Sequence, residues 1–228
     1  MEILGGKLLP GGALPSESEL LRRFGISRTV LREVYKTLAA KGLLVSRTRV
    51  GTWVQDVGHW NLFDSDVLSW KLGLGFTAKL RDDLAEIRRA IEPRAAALAA
   101  QRRTPQQLGE LRRWIERMRV PNQDRRQFAE VDLGFHLAVG TASGNELMRG
   151  AAAVIEAALV ASFTLSSPVD EPAVMAQSIA NHASIVDAIA ARDGRAAAAA
   201  MLKVINMGVS RIEASQTEAA QKKGRRKK

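Results

Sequence analysis

Three side chains in the second half of the chain have the types and spacing of a metal site. Asp132 and His136 are four residues apart, so a helix would place both on the same face. His182 belongs to a later segment, and both histidines have apolar neighbours. A carboxylate and two imidazoles that converge could bind a divalent metal ion. The spacing alone favours the alternative interpretation, in which the histidines are hydrogen-bonded residues of the core.

Arg88 and Glu92 are a second candidate for binding chemistry. They are one helical turn apart and close to Pro93. The forked guanidinium of an arginine suits a carboxylate ligand, because it can donate two parallel hydrogen bonds. The alternative is an ion pair within one helix, which contributes little to stability at a surface. The residues themselves leave both interpretations open.

Basic residues in the first quarter of the chain point to nucleic acid. Residues 28–41 are predicted to form a helix that is capped by Ser27. Its apolar stripe consists of Leu31, Val34, Tyr35 and Leu38. Arg28 and Arg32 lie on another face, next to Thr29. A helix N-terminus with short polar and arginine side chains can enter the major groove and contact phosphates and base edges.

The elements around that helix predict a winged helix-turn-helix. A shorter helix, about 17–23, precedes it and begins with a capping box of Ser16 and Glu19. Two strands follow at 43–46 and Gly51–Val54, and the turn between them contains Arg47 and Arg49. The alternative is a solvated basic helix beside an ordinary hairpin. Agreement between cap, stripe, basic face and ribbon favours the DNA-binding unit.

The rest of the chain predicts an antiparallel helical bundle, which makes the fold class mainly α. The predicted helices begin at Ala78 and then cover 104–118, 124–143, 145–165, 172–191 and 193–212. We predict four regions: a winged helix-turn-helix at 1–56, a linker at 57–63, a helical effector-binding and dimerisation domain at 64–215, and a basic disordered tail at 216–228.

Composition narrows the functional classes. The net charge of +10 is concentrated at the ends: residues 1–55 hold nine Lys and Arg against four Asp and Glu, and residues 222–228 hold six basic residues and no acidic one. Segregated positive charge is typical of nucleic-acid binding. The absence of cysteine excludes disulfides and thiolate metal sites and fits a cytoplasmic protein. No apolar run is long enough for a transmembrane helix, so we expect no membrane partner.

The first region resembles the DNA-binding domain of the GntR family of bacterial regulators. The resemblance rests on LPSESEL, FGISRTVLREVYKTLAAKGLL and GTWV. It implies DNA contacts from Ser27, Arg28, Thr29 and Arg32 and from the wing residues Arg47 and Arg49. Two departures are visible: Ser18 stands where the family often has an arginine, and the wing tip reads Thr-Arg-Val-Gly instead of Pro-Gly-Arg-Gly.

Residues 64–213 resemble the FCD ligand-sensing domain of the same family. Its marks are Arg88 with Glu92, Asp132 with His136, and His182 before an Ile-x-x-Ala-Ile run. The resemblance implies that Asp132, His136 and His182 bind a divalent metal ion, zinc or similar, and that Arg88 and Glu92 bind an effector. Many family members add a further histidine about 22 positions later, where this chain has Val204.

Two further stretches, HWNLFDSDVLSWKL and EIRRAIEPRAAALAA, resemble repressors of sugar-acid catabolism, galactonate-responsive ones among them. The resemblance implies a homodimer that binds double-stranded operator DNA and whose operator affinity changes with a sugar-acid effector. One alternative is a metal-dependent hydrolase-like enzyme fused to a DNA-binding module, since a metal could activate water. Another is a non-specific nucleoid-type DNA binder. The first is disfavoured by the basic capped helix, and the second leaves the charged residues of the bundle unexplained.

Overall fold

The chain folds into two units, one that ends at Gly75 and one that begins at Phe76. The computed structural model describes residues 1–47 and 51–225. Within those residues it contains ten α-helices and one two-stranded antiparallel sheet. The mainly α fold class is therefore confirmed, with the small sheet in the first unit and a helical second unit.

The first unit contains the helices and strands of a winged helix-turn-helix. In chain order they are α1 (Glu17–Phe24), α2 (Arg28–Ala40), β1 (Leu44–Arg47), β2 (Gly51–Val54) and α3 (Ser65–Gly73). The sheet register pairs Leu44 with Val54 and Arg47 with Gly51. Ser16 caps α1 by accepting a hydrogen bond from the amide of Glu19, as predicted. Residues 48–50, and with them the predicted wing contact Arg49, lie outside the described residues.

The core of this unit shows why α3 belongs to it. Val67 of α3 is fully buried in one apolar cluster with Leu43, Leu44 and Val54. Lys41 Nζ donates hydrogen bonds of 2.7 and 2.8 Å to the two carboxylate oxygens of Asp64, the residue that caps α3. Because of these contacts α3 belongs to the first unit, which ends at Gly75, whereas the sequence analysis ended the winged helix-turn-helix at residue 56.

The segment predicted as a linker, 57–63, is also part of the first unit. Residues Val57–His59 form a short 3-10 helix, and Trp60 packs against the core. The indole nitrogen of Trp60 donates a 2.8 Å hydrogen bond to the carbonyl of Gln55. Gly42 has a φ of 74°, and a Cβ there would lie 2.0 Å from the carbonyl oxygen of His59. The chain therefore needs glycine at this position, because the linker passes directly over it.

The second unit is a helical bundle. Its helices are α4 (Ala78–Arg102), α5 (Pro105–Met118), α6 (Arg125–Ala142), α7 (Glu146–Gly150), α8 (Ala152–Leu165), α9 (Pro172–Ala190) and α10 (Gly194–Arg225). Capping boxes at Thr104 with Gln107 and at Asp124 with Gln127 fix the starts of α5 and α6. The start of α5 agrees with the helix predicted at 104–118.

Large apolar side chains fill the interior of the bundle. Phe128, Phe135, Leu111, Met118 and Ile185 are fully buried in one cluster. Burying a side chain of this size stabilises a fold by about 1.5–3 kcal/mol. This cluster holds α5, α6 and α9 together and so fixes the positions of the polar residues that α6 and α9 carry.

Two sequence predictions for this unit need correction. The single helix predicted at 145–165 divides into α7 and α8 at Ala151, next to Gly150, whose helix propensity is low. The tail predicted as disordered at 216–228 continues α10 as far as Arg225. Helix-favouring alanine, glutamine and lysine explain that continuation, and Gln216 donates a 3.0 Å hydrogen bond to the carbonyl of Phe76. Residues 226–228 are outside the described residues, and among those that are described no helix combines the length and apolarity of a membrane span.

Candidate DNA interface and candidate ligand site

The N-terminal end of α2 presents the predicted DNA-contacting side chains to solvent. Ser27 caps the helix, accepting a 3.3 Å hydrogen bond from the amide three residues further on. Arg28, Thr29 and Arg32 are exposed, while Leu31 on the opposite face is 3% exposed and anchors the helix. An exposed helix N-terminus attracts phosphate through its free amides and its dipole. The arrangement is suited to contact DNA along this end of α2.

Val34 of α2 is exposed, although the sequence pattern placed it on the apolar stripe. Of the predicted stripe, Leu31 is buried and Tyr35 and Leu38 are half-buried against the core cluster. Val34 is 41% exposed. The buried face of α2 is therefore narrower than the sequence pattern indicates.

Arg28 has only a loose partner in the structure. Its Nε lies 3.7 Å from a carboxylate oxygen of Glu17, and the two side chains are 80% and 49% exposed. Exposed ion pairs of this kind contribute about 0–1 kcal/mol. Arg28 can consequently exchange Glu17 for a phosphate or a base edge at little cost. In the wing, the backbone of Arg47 ends β1 opposite Gly51.

The structure brings the three predicted metal-binding side chains together in the interior of the second unit. Asp132 and His136 project from one face of α6, and His182 comes from α9. One ligand atom of each lies within 4.8 Å of the others, and each residue is 2–3% exposed. The ring of Phe135 packs edge-on against both histidines, with centroid distances of 5.7 and 5.2 Å. The neighbouring apolar residue therefore helps to fix both imidazoles.

Hydrogen bonding determines which nitrogen of His182 is available. His182 Nδ1 is 2.8 Å from the carbonyl oxygen of Ser178, which can only accept, so Nδ1 carries the proton. Nε2 of His182 then faces Asp132 Oδ1, 3.0 Å away. Without a proton on Nε2, both atoms are acceptors and repel each other, so this contact needs a cation between them, either a proton or a metal ion. Nε2 of His136 and of His182 are both buried without a hydrogen-bond partner among the described residues.

These observations fit a divalent metal ion. A carboxylate and two neutral imidazoles are ligands that zinc and similar ions accept. Metal-binding histidines usually donate their second N–H to a carbonyl or carboxylate, as His182 does to Ser178. Burial alone would raise the pKa of Asp132, but His182, His136 and Arg88 hold it below its ordinary value. Asp132 is therefore available as an anionic ligand at neutral pH.

Arg88 and Glu92 form a buried ion pair beside this cluster. Arg88 donates to both carboxylate oxygens of Glu92, through Nε to one and through Nη2 at 3.3 Å to the other. Oε2 of Glu92 also lies 2.6 Å from His136 Nδ1. The two groups are close enough for an ion pair, but their orientation is not that of a hydrogen bond. Burial acts to raise the pKa of Glu92, but Arg88 and His136 outweigh it and lower that pKa to about 2. Glu92 is thus an anion that orients Arg88 and His136.

A cavity of about 60 Å³ connects these groups, which is enough for several water molecules. Its polar wall consists of Arg81, Arg88, Asp132, His136, Ser162, Ser178, Asn181, His182 and Arg211. Glu92 is not among the described residues of the wall, so of the two predicted effector-binding residues only Arg88 faces the cavity. Val204 lines it too and offers no ligand atom where many family members have a histidine.

Sequence reasoning missed two arginines on this wall. Arg81 has partners: it lies 2.8 Å from Asp82 and 3.4 Å from Glu213. Arg211 has none among the described residues, and its Nε is buried without a hydrogen bond. Burial lowers the pKa of Arg211, although the charge of Asp132 acts against that shift. Its spacing from Val204, two helical turns along one face, was the available sequence signal.

Models of two protein families match the chain. Residues 1–54 match the bacterial regulatory proteins of the gntR family, and residues 83–207 match the FCD domain. The first match covers α1, α2 and the sheet of the first unit, and the second covers the residues of the buried cluster.

Individual relatives are similar over most of their length. The galactonate operon transcriptional repressor of Escherichia coli (strain K12) is 34% identical, over 93% of this chain and 92% of the relative. The probable D-xylose utilization operon transcriptional repressor of Paenarthrobacter nicotinovorans is 33% identical, over 85% and 76%. The solved structure of Streptococcus agalactiae GntR is 29% identical, with a TM-score of 0.53 over 91% of this chain and 92% of that one.

The relatives are transcription regulators and not enzymes, which excludes the hydrolase interpretation. The chain therefore belongs to the GntR family of bacterial transcription regulators and carries the FCD domain in its helical unit.

Proposed function

We propose that this regulator is a homodimeric repressor of sugar-acid catabolism genes, acting in the cytoplasm on a pseudo-palindromic operator. A carboxylate effector binds in the cavity of the helical unit and lowers the affinity for the operator. The galactonate-related name of one relative supports the class of effector. A two-fold protein dimer reads two half-sites, so the sequence of the operator mirrors the symmetry of the dimer.

The proposed DNA contacts are the exposed side chains at the start of α2, together with two arginines of the wing. Ser27 and Thr29 contact phosphates, while Arg28 and Arg32 contact base edges or phosphates, and Arg47 and Arg49 act from the wing. The exposure of Arg28 and its loose pairing with Glu17 support this assignment.

The single observation that carries the proposed effector site is the His182–Asp132 contact. Nε2 of His182 faces a carboxylate oxygen at 3.0 Å in the wall of the cavity, and a second unpartnered imidazole nitrogen, from His136, lies nearby. Asp132, His136 and His182 would hold a divalent ion, which when bound offers an open coordination position to a carboxylate. Arg88 lines the same cavity and orients the effector. Glu92, which does not line the cavity, fixes the guanidinium of Arg88 by accepting its hydrogen bond.

Metal and effector are expected to strengthen each other's binding. Val204 offers no ligand atom, so an effector carboxylate would complete the coordination of the metal ion. The metal ion and the effector would then increase each other's affinity for the protein by the same factor. The effector then favours a spacing of the two winged-helix units that fits the operator poorly. Residues on α4, α6 and α9 would transmit that change, since these helices supply Arg88, Asp132, His136 and His182.

The test has two steps. Operator sequences are first selected from random duplexes with the full-length protein. Galactonate is then titrated calorimetrically into metal-stripped and zinc-loaded protein, and its effect on the operator complex is followed by fluorescence anisotropy. We expect tighter binding and operator release only in the zinc-loaded sample. His136→Ala should lose the response while it retains operator binding without effector. Equal galactonate affinity in both samples would contradict the metal-bridged site and favour hydrogen-bonded core histidines.

A further inference from the structure

Arg211 differs from the other arginines of the cavity in having no counter-ion. Arg88 is paired with Glu92, and Arg81 is paired with Asp82 and Glu213. For Arg211 the described residues provide neither a hydrogen bond nor a salt bridge, and its Nε is buried. Its nearest compensation is the charge of Asp132, which acts on it through space. A half-buried guanidinium without a partner is costly, and such groups commonly bind anionic ligands.

The proposed ion would make Arg211 harder to neutralise. Without the ion, the charge of Asp132 acts on Arg211 through space, whereas a divalent ion held by Asp132, His136 and His182 takes up that negative charge. Glu92 is occupied by Arg88, so it does not replace Asp132 as a partner. An effector with one carboxylate at the ion would leave Arg211 without an anion, whereas an effector with two anionic groups would supply one.

Arg211 lies where the cavity opens into a second space that could hold another anionic group of a ligand. A wider, open groove of about 770 Å³ adjoins the cavity, and Val174, Met207 and Arg211 line both spaces. Within the groove, Asp170 is paired with Arg125 at 2.7 Å, and Glu171 and Lys203 carry opposite charges. Arg211 is thus the cation at the passage between the enclosed cluster and the groove, with Ser210 beside it.

We propose that Arg211 binds a second anionic group of the effector, so that the preferred ligand is a sugar acid with an acid at both ends. One carboxylate lies at the metal site and Arg88, and the second group, a carboxylate or a phosphate, pairs with Arg211. The inference rests on the proposed function, because Asp132 ceases to offset the charge of Arg211 only in the metal-loaded site. Arg211 is then a specificity-determining residue for dianionic effectors.

Matched pairs of ligands test this assignment. Galactarate is compared with galactonate, and 6-phosphogluconate with gluconate, by calorimetry on zinc-loaded wild-type protein, Arg211→Gln and the surface control Arg126→Gln. A charge-assisted hydrogen bond predicts that the wild type and the control bind the dianion about tenfold to a hundredfold more tightly than its partner. The pair that shows the preference identifies the second group as a carboxylate or a phosphate. Arg211→Gln should lose the preference and keep its affinity for the single-acid ligands.

Two results would overturn the inference while leaving the proposed function intact. In the first, the wild type binds galactonate in a zinc-dependent way but shows no preference for either dianion. In the second, Arg211→Gln weakens single-acid and double-acid ligands equally. Failure of all four ligands to bind the zinc-loaded wild type would instead contradict the proposed function itself. Thermal unfolding checks the variant's fold, and we expect no loss of stability, because Arg211 has no partner to lose.

Discussion

The two units each place an arginine and a glutamate next to a candidate site, and the two pairs differ in burial. Arg28 and Glu17 are 80% and 49% exposed and 3.7 Å apart. Arg88 and Glu92 are 10% and 4% exposed and doubly hydrogen-bonded. The exposed pair can separate when DNA arrives, because water replaces each partner. The buried pair cannot, since separation would leave charges without solvent.

This comparison predicts that Arg28 and Arg88 fail in different ways when they are replaced. Replacing the exposed Arg28 should weaken binding and leave the fold intact. Replacing the buried Arg88 should weaken the fold together with the site. The predictions below begin with the largest expected effect.

Replacing Arg88 with methionine should destabilise the helical unit by about 3–5 kcal/mol, the usual cost of removing one partner of a buried pair. Glu92 would lose its bidentate donor, and Asp132 would lose a nearby positive charge. Urea unfolding followed by circular dichroism measures the change. Arg126→Met, which removes an exposed partner of Glu130, is the matched control and should cost about 0–1 kcal/mol. Similar losses for both variants would remove the distinction between the pairs.

Replacing Arg28 with alanine should weaken specific operator binding by about 1–3 kcal/mol and leave the unfolding midpoint unchanged. Arg113→Ala is a suitable control, because Arg113 is 69% exposed on α5 and has a similarly loose partner, Glu110, at 3.8 Å. Anisotropy titrations with the selected operator and a random duplex separate specific from general binding. If Arg28→Ala kept the wild-type preference for the operator, α2 would not be the recognition helix.

The smallest predicted effect concerns Asp64, the half-buried cap of α3. The hydrogen bond from Lys41 holds the pKa of Asp64 below its ordinary value, although slight burial acts in the opposite direction. The contribution of Asp64 to stability is therefore present above the pKa of the unfolded chain and is lost as pH falls through the lower folded pKa. Thermal unfolding between neutral pH and pH 3 should show a smaller acid-induced loss in Asp64→Asn than in the wild type. Parallel profiles would show that the pair does not stabilise the fold.

The sequence predicted the parts of the fold that depend on near neighbours. The caps at Ser16 and Ser27 were correct because each joins residues three positions apart. The placement of Asp132 and His136 on one face of α6 follows equally from their spacing. Local rules were sufficient wherever one helix determines the geometry.

Features that depend on packing between helices were not predictable in this way. The membership of α3 in the first unit depends on the burial of Val67 against β1 and β2. The contact of Glu92 with His136 requires α4 to pack against α6. The unpaired state of Arg211 depends on which side chains of the neighbouring helices face α10. His182 was included in the candidate cluster because of its residue type, and the family resemblance supported that choice, since no spacing rule links α9 to α6.

The central claim is that the buried cluster of the helical unit binds a divalent metal ion, and the metal content of purified protein tests it most directly. Elemental mass spectrometry at neutral pH should find about one ion per chain in the wild type, as expected for a folded site with three protein ligands. His182→Ala should lose that ion, whereas replacing the exposed His59 of the first unit with alanine should retain it. Equal metal content in all three proteins, or none in the wild type after equilibration with zinc, would contradict the account.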